Sequence, residues 1–219
     1  MSRKIELTSN QTIVFTGDSI TDCGRRERAH RPLGTGYVHF AANILLARHP
    51  QLQISVINTG ISGNTTRDLM QRWQRDCIGH QPDILSVLIG INDLWRQFAM
   101  PRDLPMAVYI DEYRSNYRRL LLEVSKKCNC QIILIEPFMF CNDADNEMFK
   151  ALKGYIDVVH ILADEFDAAL VPLQSGINET IGKAPPSKWS DDMVHPFMWA
   201  HAWIAEQWLE EVSVLNAER

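Results

Sequence analysis

The sequence predicts an α/β domain in which a parallel β-sheet is covered by helices on both faces. Short apolar runs that end in glycine or polar residues alternate with longer segments of helical periodicity. Strands joined by helical crossovers are typical of parallel sheets, and strands buried on both faces consist of nearly continuous apolar residues. Because no repeat, low-complexity segment or linker divides the 219 residues, we expect one domain that spans residues 1–219.

The first predicted strand leads into the segment around which the site is organised. The apolar run Ile13–Phe15 is followed closely by Gly17, Asp18 and Ser19, and then by a loop rich in glycine and arginine, residues 23–36. We expect Ser19 at the carboxyl edge of the sheet, where open α/β sheets place their binding sites. The structural alternative is a turn after a strand, since aspartate and serine both favour such turns.

The remaining elements follow in alternation along the chain. Four further apolar runs are predicted strands: Ile54–Asn58, Ile84–Ile89, Ile132–Ile135 and Ala169–Pro172. Five segments with apolar residues at helical spacing are predicted helices: Tyr37–Arg48, Thr65–Trp73, Asp111–Lys127, Asn146–Asp167 and Pro196–Leu209. The stretch 178–190 contains Gly182 and a Pro-Pro pair and is predicted to be a loop.

Composition and charge exclude several classes of protein. The net charge of −5 disfavours a nucleic-acid partner. No apolar run approaches membrane-spanning length, and the first residues, Met1–Glu6, lack the apolar core of a signal peptide. The five cysteines form neither a disulfide framework nor a zinc-binding pattern. We therefore expect reduced thiols in a cytoplasmic protein with no membrane association and no bound metal.

Three predicted strands end in polar turns that contain glycine. These turns are Gly17-Asp18-Ser19, Gly60-Ile61-Ser62-Gly63-Asn64 and Gly90-Ile91-Asn92-Asp93. A fourth polar cluster, Asp191-Asp192-Met193-Val194-His195-Pro196, precedes the last predicted helix. The carboxyl ends of parallel strands face one side of a sheet, so these segments are expected to meet there.

The chemistry of these segments is complementary. A serine hydroxyl is a weak nucleophile and needs a base, and His195 fits that role because imidazole titrates near neutrality. The base needs an acceptor on its other ring nitrogen. Asp191 and Asp192 compete for this role, and the spacing of three residues to His195 favours Asp192. We therefore predict Ser19, His195 and Asp192 as catalytic residues.

Acyl transfer also requires donors for the oxyanion that forms on the attacked carbonyl. The candidates are the backbone N–H groups of Ser19 and Gly63 and the side-chain amide of Asn92. Trp95 and Trp189 flank the site segments. Tryptophan usually packs in a core or an interface, and stacking on a sugar substrate is the functional alternative for these two residues.

The site segments resemble the conserved blocks of the SGNH, or GDSL-type, esterase and lipase superfamily. Its four marker residues correspond to Ser19, Gly63, Asn92 and His195, although the first block reads Gly-Asp-Ser-Ile instead of Gly-Asp-Ser-Leu. Three longer runs resemble the intracellular acetylxylan esterases of this superfamily: Gly17-Asp18-Ser19-Ile20-Thr21-Asp22-Cys23-Gly24-Arg25, Leu33-Gly34-Thr35-Gly36-Tyr37 and Gly90-Ile91-Asn92-Asp93-Leu94-Trp95-Arg96-Gln97. The similarity covers roughly Thr12 to Leu209.

This resemblance implies a flavodoxin-like three-layer α/β/α fold with a five-stranded parallel sheet, no cofactor, and self-association into a homo-oligomer. It also implies a serine esterase that deacetylates carbohydrates, above all xylo-oligosaccharides, through an acetyl-enzyme on Ser19. A lysophospholipase or thioesterase is the alternative within the same class. A non-catalytic flavodoxin-like binding module is disfavoured because Asp18 would repel the phosphate of a flavin. An inactive relative would be expected to lose the serine or the histidine, and both are present.

Overall fold

The computed structural model describes residues 4–99 and 101–214. Seven strands lie in these ranges: β1 (Ile5–Leu7), β2 (Thr12–Gly17), β3 (Ser55–Asn58), β4 (Ile84–Leu88), β5 (Gln131–Ile135), β6 (Ala169–Val171) and β7 (Val212–Val214). Eight α-helices accompany them: α1 (Ser19–Asp22), α2 (Tyr37–Arg48), α3 (Thr66–Asp76), α4 (Ile91–Trp95), α5 (Ile110–Lys127), α6 (Glu147–Glu165), α7 (Leu173–Ile181) and α8 (Met198–Glu210). Residues 1–3 and 215–219 lie outside the described residues. Both segments are part of the predicted domain, and residues 1–3 are also part of the stretch Met1–Glu6 for which no signal peptide is predicted.

The main sheet has five parallel strands in the order β3-β2-β4-β5-β6. This is the strand order of the flavodoxin-like fold, so the predicted fold class is confirmed. Every residue of β4 is buried, and β2 is buried from Ile13 onward. Such complete burial follows from helices on both faces, and it explains why these strands consist of continuous apolar residues.

The two helical layers pack on opposite faces of the sheet. Helices α2 and α8 contact each other, and Trp208 of α8 lies against Phe15 of β2 with ring centroids 4.9 Å apart. The Trp208 indole N–H donates a 3.1 Å hydrogen bond to the Ser86 hydroxyl of β4. Helices α3, α5 and α6 form the other layer. In the described part of the chain, no helix is both long enough and apolar enough to cross a membrane.

Two parts of the fold differ from the sequence prediction. The prediction of a loop over residues 178–190 is wrong for its first residues, because α7 continues to Ile181. Gly176 lies within this helix, where a Cβ atom would stand 3.0 Å from the ring of Trp203, so the glycine that weakens the helical pattern permits close packing on α8. The second difference is a small parallel sheet of β1 and β7, which pairs two segments from opposite ends of the chain.

Candidate active site

Ser19 stands at the carboxyl edge of the main sheet, directly after β2. It is the first residue of the short helix α1, and Asp18 is the N-cap. The Asp18 carboxylate accepts a 3.0 Å hydrogen bond from the Ile20 backbone N–H, which fixes the turn between strand and helix. Asp18 therefore has a structural role in this turn, and the turn leaves the Ser19 hydroxyl accessible at the sheet edge.

The structure brings Ser19, His195 and Asp192 into one hydrogen-bonded series. The Ser19 Oγ lies 2.9 Å from His195 Nε2, and His195 Nδ1 lies 2.6 Å from Asp192 Oδ2. A carboxylate only accepts hydrogen bonds, so Nδ1 carries the proton and Nε2 is left to accept from the serine. Asp192, and not its neighbour Asp191, is thus the carboxylate that meets the ring.

The turn that presents His195 is held by the second oxygen of the same carboxylate. Asp192 Oδ1 accepts hydrogen bonds from the backbone N–H groups of Val194 at 2.9 Å and His195 at 2.8 Å. Burial opposes ionisation of Asp192, but the hydrogen bonds from the His195 ring and from the two N–H groups outweigh it and lower its pKa to about 2. The carboxylate is therefore ionised wherever the histidine can act as a base.

Two of the three predicted oxyanion donors, Gly63 and Asn92, lie on segments that contact each other. Gly63 has φ +80°, a left-handed conformation that glycine adopts without strain. Asn92 lies in the first turn of α4, and its side-chain amide donates a 3.1 Å hydrogen bond to the Asn64 carbonyl. The second N–H of the Asn92 amide remains for an oxyanion. The hydrogen bond of the first N–H also connects Asn92 to the segment that contains Gly63 and Asn64.

Arg72 of α3 links the segment Gly17–Ser19 to the segment Thr59–Asn64, which is called the Gly63 segment below, and the sequence pattern did not point to it. Its buried guanidinium donates to the Gly17 carbonyl at 3.0 Å, to the Thr59 carbonyl at 2.6 Å and to Asn64 Oδ1 at 2.7 Å. An arginine supplies five donors in a fixed plane, which suits this bridging position. The ion pair with Asp76, four residues later, is a local signal for the helix alone. The contacts with the Gly17 and Thr59 carbonyls leave no local signal, because these backbone atoms are distant in sequence.

Asp22 also holds the Gly63 segment, and it was not singled out from the sequence either. Its Oδ2 accepts from the Ser62 N–H at 2.9 Å and from the Ser62 hydroxyl at 2.8 Å. The available signal was its position at the end of α1, three residues after Ser19. The Gly63 segment is thus fixed from α1 as well as from α3 and α4.

Asp93, the residue after Asn92, carries another buried carboxylate. It accepts hydrogen bonds from the Thr66 N–H at 3.0 Å and the Thr66 hydroxyl at 2.6 Å, at the N-terminus of α3. Burial raises the pKa of Asp93 to about 6, against the effect of the Thr66 hydrogen bonds. These contacts make Asp93 a capping residue for the N-terminus of α3.

The two tryptophans flanking the site differ in environment. Trp95 is half-buried, and its ring centroid lies 5.8 Å from that of His195. Trp189 is 2% exposed and packs between Phe140 and Trp199, with ring centroids 5.6 and 4.0 Å away. This burial corrects the sugar-stacking alternative for Trp189, because a ring enclosed by other aromatic rings has no face for a sugar.

His201 is the other histidine near the site, and its contacts are those of a packing residue. Its Nδ1 accepts a 3.2 Å hydrogen bond from the Tyr37 N–H, so the ring is neutral. Burial, and then the charge of His195, lower the pKa of His201 to about 4. Among the described residues, no group of three or more His, Cys, Asp or Glu side chains is placed to hold a metal ion.

A flavodoxin-like sheet with a serine, a histidine and a carboxylate in hydrogen-bonding series at its carboxyl edge is the arrangement found in serine hydrolases. Comparison with known proteins agrees. A model of the GDSL-like lipase/acylhydrolase family matches residues 15–202. The acetylxylan esterase of Geobacillus stearothermophilus is 40% identical over 212 residues, which cover 95% of this chain and 96% of the relative. The chain therefore belongs to the GDSL-like lipase/acylhydrolase family, and it is a carboxylic ester hydrolase.

Solved structures give the same result. The crystal structure of the Geobacillus esterase matches with a TM-score of 0.89 and 39% identity, covering 94% of this chain and 96% of that one. Catalytic mutants of that esterase, in which a serine, an aspartate or a histidine is replaced by alanine, match equally well. A putative GDSL-like lipase from Parabacteroides merdae matches with a TM-score of 0.87 and 37% identity over 95% of this chain and 98% of that one. The resemblance drawn from the sequence blocks is confirmed.

Proposed function

We propose that this protein removes acetyl groups from xylo-oligosaccharides, with Ser19 as the nucleophile, His195 as the general base and Asp192 as the residue that orients the histidine. The observation that carries the proposal is the hydrogen-bonded series from Ser19 Oγ through the His195 ring to Asp192. In this geometry the serine proton has an acceptor at 2.9 Å, and the ionised carboxylate stabilises the imidazolium that forms.

In the first half-reaction, Ser19 Oγ attacks the acetyl carbonyl carbon while His195 Nε2 takes the hydroxyl proton. The carbonyl oxygen becomes an oxyanion, and its proposed donors are the N–H groups of Ser19 and Gly63 and the free N–H of Asn92. Collapse of the tetrahedral intermediate breaks the bond to the sugar oxygen, which receives the proton from His195. The products of this step are the deacetylated sugar and an acetyl ester on Ser19.

In the second half-reaction, water replaces the sugar. His195 takes a proton from the water as it attacks the acetyl-enzyme, and the same donors hold the second oxyanion. The proton returns to Ser19 Oγ as the acyl bond breaks, so acetate is released and the enzyme is restored. The half-exposed His195 side chain supports this step, because water can reach Nε2.

The substrate assignment is supported by the relatives. The Geobacillus protein is an acetylxylan esterase and is also described as an acetyl-xylooligosaccharide esterase. Trp95, next to His195, is the proposed contact for a sugar ring, since tryptophan offers an apolar face to the C–H groups of a saccharide. Hydrolysis of lysophospholipids or thioesters is not favoured by these comparisons.

Acetate release from a panel of substrates tests the proposal. The panel contains acetylated xylo-oligosaccharides, acetylated glucose, acetylated rhamnogalacturonan and a long-chain ester. We expect the highest kcat/KM on the xylo-oligosaccharides. A preference for the long-chain ester would contradict the assignment and favour an acyl hydrolase of the lysophospholipase type.

We further propose that residues 1–219 form one domain and that the protein is cytoplasmic and self-associates. The five cysteines are unbridged, which is compatible with a reducing compartment. Several large apolar side chains beyond α4 are exposed by 36–58%: Phe98, Leu104, Met106, Tyr109 and Ile110. Large exposed apolar patches on soluble proteins often mark sites of interaction with another protein. Light scattering coupled to size-exclusion chromatography tests self-association, and a monomeric mass would contradict it.

A further inference from the structure

Arg96 brings a positive charge to the Gly63 segment. It directly follows α4, and its Nη2 donates a 2.5 Å hydrogen bond to the Gly63 carbonyl oxygen. Among the side chains that the structure describes, which do not include those of residues 100–103, no ion pair involves this guanidinium. The side chain is half-buried, so its charge is screened by water less than that of an exposed arginine.

The space next to Gly63 shows where the Arg96 guanidinium lies relative to the proposed oxyanion donor. A Cβ atom built on Gly63 would have one non-neighbouring heavy atom within 4 Å, Arg96 Nη2 at 3.9 Å. The space beside Gly63 is therefore open, and the guanidinium lies at its border. Open space next to a proposed oxyanion donor is where the reacting carbonyl must be accommodated.

Arg96 and Asn92 act on the same segment from one helical turn. Asn92 donates to the Asn64 carbonyl at 3.1 Å, and Arg96 donates to the preceding carbonyl, that of Gly63. Glycine is the residue with the most backbone freedom, so the direction of the Gly63 N–H depends on contacts that hold the adjacent peptide groups. Arg96 supplies the contact on Gly63 itself.

We propose that Arg96 is a positioning residue for ester hydrolysis in this protein. Its hydrogen bond holds the Gly63–Asn64 peptide group, which restrains the Gly63 backbone and with it the direction of the Gly63 N–H towards the oxyanion, and its charge favours the anionic transition state over the neutral ester. An interaction that is stronger in the transition state raises kcat with little effect on KM. This inference rests on the proposed oxyanion role of Gly63.

The test compares Arg96→Ala and Arg96→Lys with the unmodified enzyme on p-nitrophenyl acetate. We expect Arg96→Ala to lower kcat about 10- to 100-fold with KM within about threefold, less than the loss expected for a direct donor. Arg96→Lys keeps the charge and a donor and should recover most of the loss. Guanidinium ion at tens of millimolar should also restore activity to Arg96→Ala, which a loss of folded protein would not allow.

Arg25 offers a matched control. Its Nε donates a 2.6 Å hydrogen bond to the Gly60 carbonyl, in the same segment as Gly63. Arg25→Ala therefore removes an arginine–carbonyl contact from the segment without touching Gly63. We expect kcat of this variant to stay within about threefold of that of the unmodified enzyme.

Inhibition by methylboronic acid gives a second readout, because boronates form a tetrahedral anion on a serine nucleophile. We expect its inhibition constant to weaken in Arg96→Ala by about the same factor as kcat/KM falls. A kcat within threefold, a change in KM alone, or an unchanged inhibition constant would overturn the proposal. Since these assays use p-nitrophenyl acetate, failure of the saccharide assignment would appear separately, as an active enzyme that leaves acetylated xylo-oligosaccharides intact.

Discussion

At the scale of single residues, the two oxygens of Asp192 have separate tasks. Oδ2 meets the His195 ring, whereas Oδ1 accepts the backbone N–H groups that close the turn. Asp192, which is proposed to orient His195, thus also stabilises the turn in which His195 lies. This double use explains the spacing of three residues between the acid and the histidine, which places both backbone N–H groups within reach of one carboxylate.

The first prediction concerns Asn92. We expect Asn92→Ala to lower kcat about 10²- to 10³-fold, as the loss of one oxyanion donor does in other hydrolases. KM should change by less than about threefold, because the donor acts mainly on the transition state. Steady-state kinetics on p-nitrophenyl acetate measure both constants. A raised KM with unchanged kcat would instead make Asn92 a ground-state binding residue.

The second prediction concerns Asp18, which is fully buried with Oδ2 unpartnered. Burial raises its pKa from 3.8 to about 7, only partly offset by the Ile20 N–H. The folded state therefore binds this proton more tightly than the unfolded chain does. The contribution of this proton to the free energy of unfolding is therefore complete below pH 3.8 and is lost as the pH rises to about 7. The total loss is at most about 4 kcal/mol.

Asp18→Asn removes this titration. The free energy of unfolding of the variant, relative to that of the unmodified protein, should therefore rise between pH 4 and pH 8. Urea unfolding at the two pH values measures the difference. The same relative stability at both pH values would show that Asp18 does not titrate in this way.

At the scale of elements, the end of β2 determines where the nucleophile stands. Gly17 passes so close to β4 that a Cβ atom would lie 2.2 Å from the Leu88 carbonyl oxygen and 2.6 Å from the Thr21 hydroxyl. No side chain fits there without a shift of the backbone. Gly17, two residues before the proposed nucleophile Ser19, is thus required by the packing of two central strands.

We predict that Gly17→Ala costs at least about 2 kcal/mol of unfolding free energy, within the range for overpacked interiors. Gly154→Ala is the control, since a Cβ atom there would make ordinary contacts with Ile110 at 3.6 Å in the middle of α6. That substitution should stabilise the protein by about 0.5–1 kcal/mol. Chemical unfolding of both variants checks the pair, and equal effects would contradict the steric argument.

Local sequence patterns were sufficient to predict most elements of the main sheet and its helical layers. The five strands of the main sheet and the helices around them are marked by apolar periodicity and by turn residues. The pairing of β1 with β7 joins Ile5 to Val212, and no short-range pattern encodes a contact over such a separation. Helix α7 was obscured by Gly176, whose role appears only when Trp203 packs on it.

In the candidate site, too, residues within local motifs could be predicted, whereas residues with long-range contacts could not. Ser19, Gly63, Asn92 and His195 occur in motif blocks, so their approach to one another could be inferred from the topology of a parallel sheet. The contacts of Arg72 and Arg96 could not, because an arginine that donates to backbone carbonyls leaves no pattern in the sequence. The partners of such side chains are determined by tertiary packing.

At the scale of the whole molecule, the polar side chains around the site predict a preference for short acyl groups. Arg96 and Trp95 both lie beside the proposed catalytic residues. A guanidinium at the border of the open space beside Gly63 is unfavourable for a long alkyl chain, which would desolvate its charge. We expect kcat/KM on p-nitrophenyl esters to fall steeply after acetate.

The measurement is a series of p-nitrophenyl esters from acetate to dodecanoate, each below its aggregation limit. A kcat/KM that stays flat or rises beyond butyrate would contradict the predicted preference. Such a profile would favour a lipase-like or thioesterase-like specificity for this chain.

The most direct test of the central claim is acetate release from acetylated xylo-oligosaccharides by the unmodified enzyme and by Ser19→Ala. We expect release by the unmodified enzyme and a loss of at least about 10³-fold in kcat for the variant, with the fold retained. His195→Ala should behave similarly, and the double variant should be hardly worse, because such residues act as a unit. Comparable acetate release by Ser19→Ala and the unmodified enzyme would contradict the account.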